Sequence, residues 1–155
     1  MAHWGDPDWE KWGVAWDSEA FNLDRVFEPH SSCEWKQYRG DDYISRLREM
    51  PRLYLQEAHP ELPNATVYPF DEVEGWLESS VAYMLALAIH EKAQEIGIYG
   101  VSMEAQEEYG YQRPNAAYLV GLARGKGIKV HIPDQSSLLK YSGQFGYTGR
   151  YGNRK

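Results

Sequence analysis

Residues Ser79–Pro133 read SSVAYMLALAIHEKAQEIGIYGVSMEAQEEYGYQRPNAAYLVGLARGKGIKVHIP. From Ser80 to about Glu95, Val81, Met84, Leu85, Ala88 and Ile89 form one stripe, with Ala82, Ala86 and Ala93 on a second side. That spacing predicts a helix apolar over much of its surface, set between a sheet and another layer. Ile96–Gly100 (IGIYG) is expected as a buried strand. After a polar loop, Pro114 stands where a helix-starting proline belongs, and Ala117, Leu119, Val120 and Ala123 continue a second helix from Asn115 to Arg124. Gly125 and Gly127 end it, and Ile128–Ile132 (IKVHI) is the next strand. Helix, strand, loop, helix, strand is the repeating unit of a parallel α/β sheet.

The preceding half supplies shorter elements. Trp12–Trp16 (WGVAW) and Arg25–Glu28 (RVFE) read as strands, and Asp41–Met50 (DDYISRLREM) as a short helix stopped by Pro51. Leu53–Gln56 and Thr66–Tyr68 are short apolar runs between prolines, again predicted as strands. Ser136–Lys140 is expected to add a helical turn. One domain over residues 1–140 accounts for these elements, followed by a Gly/Tyr/Arg-rich C-terminal tail, 141–155.

Composition narrows the function classes. Six Trp and twelve Tyr are more than one small core needs, so the excess is expected to line a site or a subunit contact, pointing to a homo-oligomer. The net charge of −7 argues against general binding of a nucleic-acid backbone. That charge divides into −11 up to Asp134 and +4 from Gln135 onward, where Lys140, Arg150, Arg154 and Lys155 have no acid among them. Such a tail can stack on single strands, but a mobile terminus or an arm on a neighbouring subunit is the simpler reading. Cys33 stands alone, so neither an internal disulfide nor a cysteine-rich zinc site is expected. No apolar run is long enough to span a bilayer and no signal peptide is visible, so the expected setting is cytoplasmic, with no membrane partner.

Four constellations could carry chemistry. Ser79 and Ser80 open the long helix, where free N–H groups and the positive dipole end form a small anion site, although a plain serine cap would account for the pair. Gly100 at a strand end permits a turn or close approach of a ligand, with Ser102 and Glu104 near enough to bond a sugar hydroxyl. Tyr109, Tyr111, Arg113 and Asn115 lie in EEYGYQRPN, where the guanidinium suits a phosphate or carboxylate and the tyrosines suit a base. Glu28 and His30 close the strand in DRVFEPH. Alternation sends Val26 and Glu28 to one side and Arg25 and Phe27 to the other, and Glu28 and His30 are candidate acid/base groups. As metal ligands the two lack a third partner at telling spacing, so no metal is assigned. Dinucleotide-binding, phosphate-loop and serine-elbow motifs are absent.

The segments SSVAYMLALAI, EIGIYGVSM and EYGYQRPNAAYLVGLARGKGI, with DRVFEPH and Tyr68-Pro69, resemble an uncharacterised family of Rossmann-like proteins frequent in bacteriophage genomes, over Trp12 to Leu139. The resemblance implies α/β architecture, a Rossmann-like three-layer domain with a mostly parallel sheet. More remotely, the chain is similar to CMP-sugar sialyltransferases and to the motility-accessory and hydroxymethylpterin pyrophosphokinase-like group, which implies nucleotide contacts at Ser79, Ser80 and Gly100. It departs from both in having Ser102 where they place an acid. Only Met1–Lys11 precede WGVAW, where those groups have a Gly-containing strand and loop. GLARGKGIKVHIPD also resembles the helix-to-strand end of nucleoside deoxyribosyltransferases, but their nucleophilic Glu is replaced by apolar residues at Leu119 and Val120.

The expected function is binding of a nucleotide or nucleotide-sugar at the carboxyl edge of the sheet. Ser79, Ser80, Gly100, Ser102, Tyr109, Tyr111, Arg113 and Asn115 would bind it. If the protein is an enzyme, glycosyl or nucleotidyl transfer is expected, with Glu28, His30 or Glu104 as the base. No cofactor is assigned. The alternative is a non-catalytic protein that sequesters a nucleotide signal or assembles into an oligomer.

Overall fold

The computed structural model describes residues 5–18, 21–40, 42–103 and 109–139, without the side chains of Asp17, Lys36, Tyr38 and Tyr109. Glu104 and the tail 141–155 lie outside the described residues.

The chain runs β1 (Trp12–Val14), a 3-10 turn (Ala15–Asp17), β2 (Arg25–Glu28), α1 (Ser32–Tyr38), α2 (Tyr43–Arg48), β3 (Leu53–Leu55) and β4 (Thr66–Val67). It continues with α3 (Ser80–His90), β5 (Glu95–Gly97), α4 (Tyr109–Gly125) and β6 (Lys129–His131). Every pairing among these strands is parallel. One sheet has the order β1-β2-β3-β4, and β5 pairs with β6 in a second. The protein is thus α/β with a mostly parallel strand arrangement.

Side-chain alternation along β2 and β3 assigns each helix its face. Val26, Leu53 and Leu55 pack with Trp35 of α1 and Tyr43 and Leu47 of α2. Phe27 and Tyr54, opposite one another in register, stack with ring centroids 4.9 Å apart and pack with Tyr83 and Leu87 of α3. A third cluster joins Leu85, Ala86 and Ile89 of α3 to Ala116, Leu119, Val120 and Ala123 of α4, and takes in Ile98 and Ile128. A strand buried on both faces is usually a near-continuous apolar run; β2 departs from that with a charged residue at each end, Arg25 paired with Glu91 and Glu28 hydrogen-bonded by Tyr43 and His30.

Local chemistry sets the ends of α3. Ser79 caps it, its hydroxyl accepting the Ala82 amide at 3.2 Å. The helix stops at His90, five residues before the expected end, because Lys92 turns into the left-handed region with φ 59°. The WGVAW strand is cut short in the same way by the 3-10 turn at Ala15. Helix α1 is an element the apolar pattern did not predict. Its signal is a capping box, in which Ser31 accepts the Glu34 amide while the Glu34 carboxylate accepts the Ser31 amide at 2.8 Å.

Two further expectations are corrected. Pro114 does not start α4; it lies inside the helix, which begins at Tyr109. At the sixth helical position the proline removes one hydrogen bond near the helix start, a loss that the packing of Ala116, Leu119 and Val120 offsets. Nor is β5 fully buried: Glu95 is exposed and Ile96 and Gly97 are half-buried. One edge of β5 bonds to β6, while the other, among the described residues, faces a slot rather than a neighbouring strand. Residues 136–139 form no helix, only a turn at 138–139.

Candidate functional site

Because β1, β2, β3 and β5 end on the same side of the molecule, the segments that leave them converge there. They enclose a cavity of ≈ 860 Å³ with Val14, His30, Gln56, Ser80, Gly100 and Ser102 among its walls. Clefts at the carboxyl ends of parallel strands gather loops whose backbone is not tied into the sheet, which makes them the usual ligand sites of open α/β sheets.

The N-terminus of α3 forms one wall. Ser79 is committed as a cap, so the plain reading of that hydroxyl holds. Ser80 and Val81, next in the helix, have amides with no intrahelical acceptor, and both line the cavity. The positive end of an eleven-residue helix therefore faces this space. Opposite it, Gly100 leaves β5 with φ 72°. A side chain there would meet nothing within 4 Å, so glycine serves the turn and not a tight contact. Ser102 follows, its hydroxyl 3.1 Å from that of Ser137.

The carboxylate and imidazole at the end of β2 are in contact. Glu28 is 3% exposed. It accepts the Tyr43 hydroxyl of α2, the His30 backbone amide at 3.0 Å, and the His30 ring through Nδ1 at 2.5 Å. In the neutral ring, a carboxylate on Nδ1 selects the tautomer with its proton there and Nε2 as the acceptor. His30 is nearly half exposed and lines the cavity. The arrangement is a buried anion that orients a solvent-accessible base. Burial, and then the bond to Glu28, push the Tyr43 hydroxyl well above the ordinary tyrosine range, so it stays protonated as a donor.

The EEYGYQRPN candidates go elsewhere. Tyr111 is exposed on α4, and neither it nor Arg113 borders the cavity. The Arg113 Nε donates to the Leu138 carbonyl at 3.2 Å, tying α4 to the segment after β6. Asn115 is buried and clamps the loop before α3, donating to the Trp76 carbonyl at 2.7 Å and accepting the Glu78 amide at 3.1 Å. Its amide is consumed by the fold, because a buried amide without such partners would cost about 1–3 kcal/mol. Tyr109 opens α4, its side chain outside the described residues. Among the described residues of this segment, Gln112 reaches the cavity.

Sequence reasoning missed Gln56 and Tyr43 as site residues, and took Gln112 only as part of the EEYGYQRPN cluster. Gln56 donates to the Pro29 carbonyl and, at 2.9 Å, to the Tyr83 hydroxyl, fixing the loop that carries His30. No local signal marks Gln56 or Tyr43, since each matters through a partner distant in sequence. Among the described residues, no group of three or more His, Cys, Asp or Glu could hold a metal ion, and no helix is long and apolar enough to cross a membrane.

No family model, curated protein or solved structure matches the chain.

Proposed function

We propose that the cavity binds a nucleotide or nucleotide-sugar, on a Rossmann-like three-layer arrangement. Helices α1 and α2 pack on one face of the strands and α3 on the other, and the chain changes face between β4 and β5. In such folds the crevice beside the point where the strand order reverses takes the ligand. The observation that carries the reading is the meeting, in one cavity, of the free Ser80 and Val81 amides with a carboxylate-oriented imidazole at His30. The amides suit a phosphate. Ser102 and Gln112 are placed for the hydroxyls of the sugar.

If the bound molecule is a donor substrate, the reaction is transfer of its glycosyl or nucleotidyl group to an acceptor hydroxyl. His30 Nε2 takes the acceptor's proton while Glu28 balances the charge on the ring. The phosphate side of the donor leaves with its electron pair, held against the α3 amides.

A thermal-shift series with CMP, UMP, GMP, NAD and a CMP-sugar tests the reading. At least one ligand is expected to raise Tm. Ser80→Asp should abolish the rise without destabilising the apo protein, since an acid at a helix start is favourable to the helix and repels phosphate. No rise with any of the series overturns the proposal. A rise without turnover of the CMP-sugar favours sequestration over transfer.

An assembly role has one observation of its own. Trp76 is 71% exposed and lies 6.0 Å from the ring of Tyr118, also exposed. Trp76→Ser should lower the particle mass in light scattering if this pair is a subunit contact.

A further inference from the structure

A smaller cavity, of ≈ 330 Å³, lies against α1, with His30, Glu34, Trp35 and Arg39 as its described walls. His30 is also a wall of the larger cavity, so one imidazole borders both spaces. A base that serves a transfer must meet the acceptor while the donor is bound, and two cavities that share it give each substrate a place.

We propose that the smaller cavity is the acceptor subsite and takes a neutral polyhydroxyl compound, a sugar, an assignment that rests on the larger cavity holding the donor. Three polar groups border it, each fixed by a different device. The Glu34 carboxylate is held in the capping box, where its Oε2 accepts the Ser31 amide at 2.8 Å and the Ser31 hydroxyl at 2.9 Å. Arg39, at the C-cap of α1, lies over the Trp16 ring with its guanidinium carbon 4.4 Å from the ring centroid. Glu28 holds the His30 ring through Nδ1. Side chains locked before a ligand arrives lose little freedom when it binds.

Each of the three keeps unused hydrogen-bonding capacity. Both bonds from Ser31 go to Oε2, which leaves Oε1 of Glu34 as a further acceptor. The Ser31 amide, and then its hydroxyl, hold the Glu34 pKa below the usual range, so the group stays an acceptor. Stacking on an aromatic face engages the plane of a guanidinium and leaves the N–H groups at its edge. Among the described residues no carboxylate pairs with Arg39. Glu34 and Arg39 thus border one small space with opposite charges, and each is engaged elsewhere rather than with the other.

That balance selects the ligand class. With the ring neutral, the charges on the described walls cancel. An anion would face the Glu34 carboxylate and a cation the Arg39 guanidinium, each at an electrostatic cost. A hydroxyl both donates and accepts, so a molecule bearing several can meet the guanidinium, the carboxylate and Nε2 at once without bringing a charge. The volume lies at the small end of the range of about 300–1,000 Å³ usual for ligand pockets, which suits one sugar ring rather than a chain of them. In the transfer, the acceptor hydroxyl gives its proton to His30 Nε2 and its oxygen bonds to the transferred group, while the phosphate side of the donor departs with the electron pair.

NMR titration of the full chain with glucose, galactose and N-acetylglucosamine, alone and in the presence of CMP, tests the subsite. At least one sugar should shift the Arg39 Nε–H and His30 ring signals together and saturate. Arg39→Gln and Glu34→Gln, read at His30, should each weaken that binding about tenfold, the worth of one hydrogen bond to a charged group, while the Tm rise with the nucleotide series is kept. Glutamine at position 34 preserves the capping box, so the loss there does not report a lost helix. The absence of any sugar that shifts both signals overturns the proposal, and so does binding that survives both variants. Serine shifting both signals more strongly than any sugar also overturns it, since a zwitterion would then be the better fit. Sugar binding without a nucleotide-induced rise in Tm supports the sugar site and overturns the donor reading of the larger cavity; a rise in Tm without sugar binding does the reverse.

Discussion

Arg25 and Glu28 lie three positions apart on one strand, are both buried, and serve opposite ends of the sheet. The Arg25 guanidinium is held between two carboxylates and an indole ring. Glu91 takes Nη1 at 2.6 Å, the Glu10 carboxylate sits 2.9 Å from Nε, and the Trp12 ring lies 4.4 Å beneath it. Glu28 is just as deep, but one of its partners, His30, opens onto the larger cavity. Both sites meet the rule that a buried charge must be paired. What separates them is the chemistry of the exposed partner: the Glu10 and Glu91 carboxylates are tied to Arg25 as ion pairs, whereas the His30 imidazole can take a proton from a ligand in the larger cavity.

The largest effect is expected at Arg25. Arg25→Ala removes the bonds to Glu91 and Tyr54 together with the packing on Trp12, and should cost about 3 kcal/mol in urea unfolding. Ligand-induced shifts in Tm should persist once the lower baseline is accounted for. Loss of binding in a folded Arg25→Ala protein would break the contrast between the two ends.

Tyr43→Phe comes next. It withdraws one of three donors from buried Glu28, which should cost about 2 kcal/mol at neutral pH. The same hydroxyl gives a pH signature. Tyr43 and Tyr68 are held protonated by burial, whereas in the unfolded chain each ionises near pH 10. A pKa raised in the folded state means that stability is lost as pH rises past the unfolded value, so the protein should weaken above about pH 10. Tyr43→Phe should flatten that decline, as read by denaturation across pH 9–11.

His30→Ala should hardly move stability, by about 0.5 kcal/mol, because the ring is half solvent-exposed. Turnover of a donor substrate should fall by a factor of about 100 or more while ligand binding is retained. Equal losses of binding and turnover would make His30 a ligand contact rather than a base.

The smallest effect belongs to Asp24. Its carboxylate accepts the Lys11 amide at 2.7 Å, which holds its pKa below the usual range. Stability from such a depressed group is present above the unfolded pKa near 3.9 and lost as pH falls through the folded value. Asp24→Asn should cost a few tenths of a kcal/mol at pH 7, given the exposure of the side chain, and nothing at pH 2.

Where a signal is local, it was legible. The apolar stripe of α3, the serine at its cap and the alternation along RVFE all reappear as helix, cap and two-faced strand. The capping box Ser31/Glu34 was just as local, and α1 was missed because its face has few apolar residues to mark it. At the cavity, Ser80, Gly100, Ser102 and His30 could be named in advance because strand ends and helix starts point the same way in a parallel sheet. Asn115, Arg113 and Tyr111 looked equally suitable and are spent on the fold or exposed on α4.

The sequence by itself therefore determined the elements, their order and the polar groups at each end, because periodicity, caps and turns act over three or four residues. Only the tertiary structure decided which of those groups meet. Glu28 with Tyr43, Asn115 with Trp76, and the facing edges of β1 and β5 depend on crossovers spanning tens of residues. At that range packing against the sheet sets the geometry, and no residue carries a mark of its distant partner.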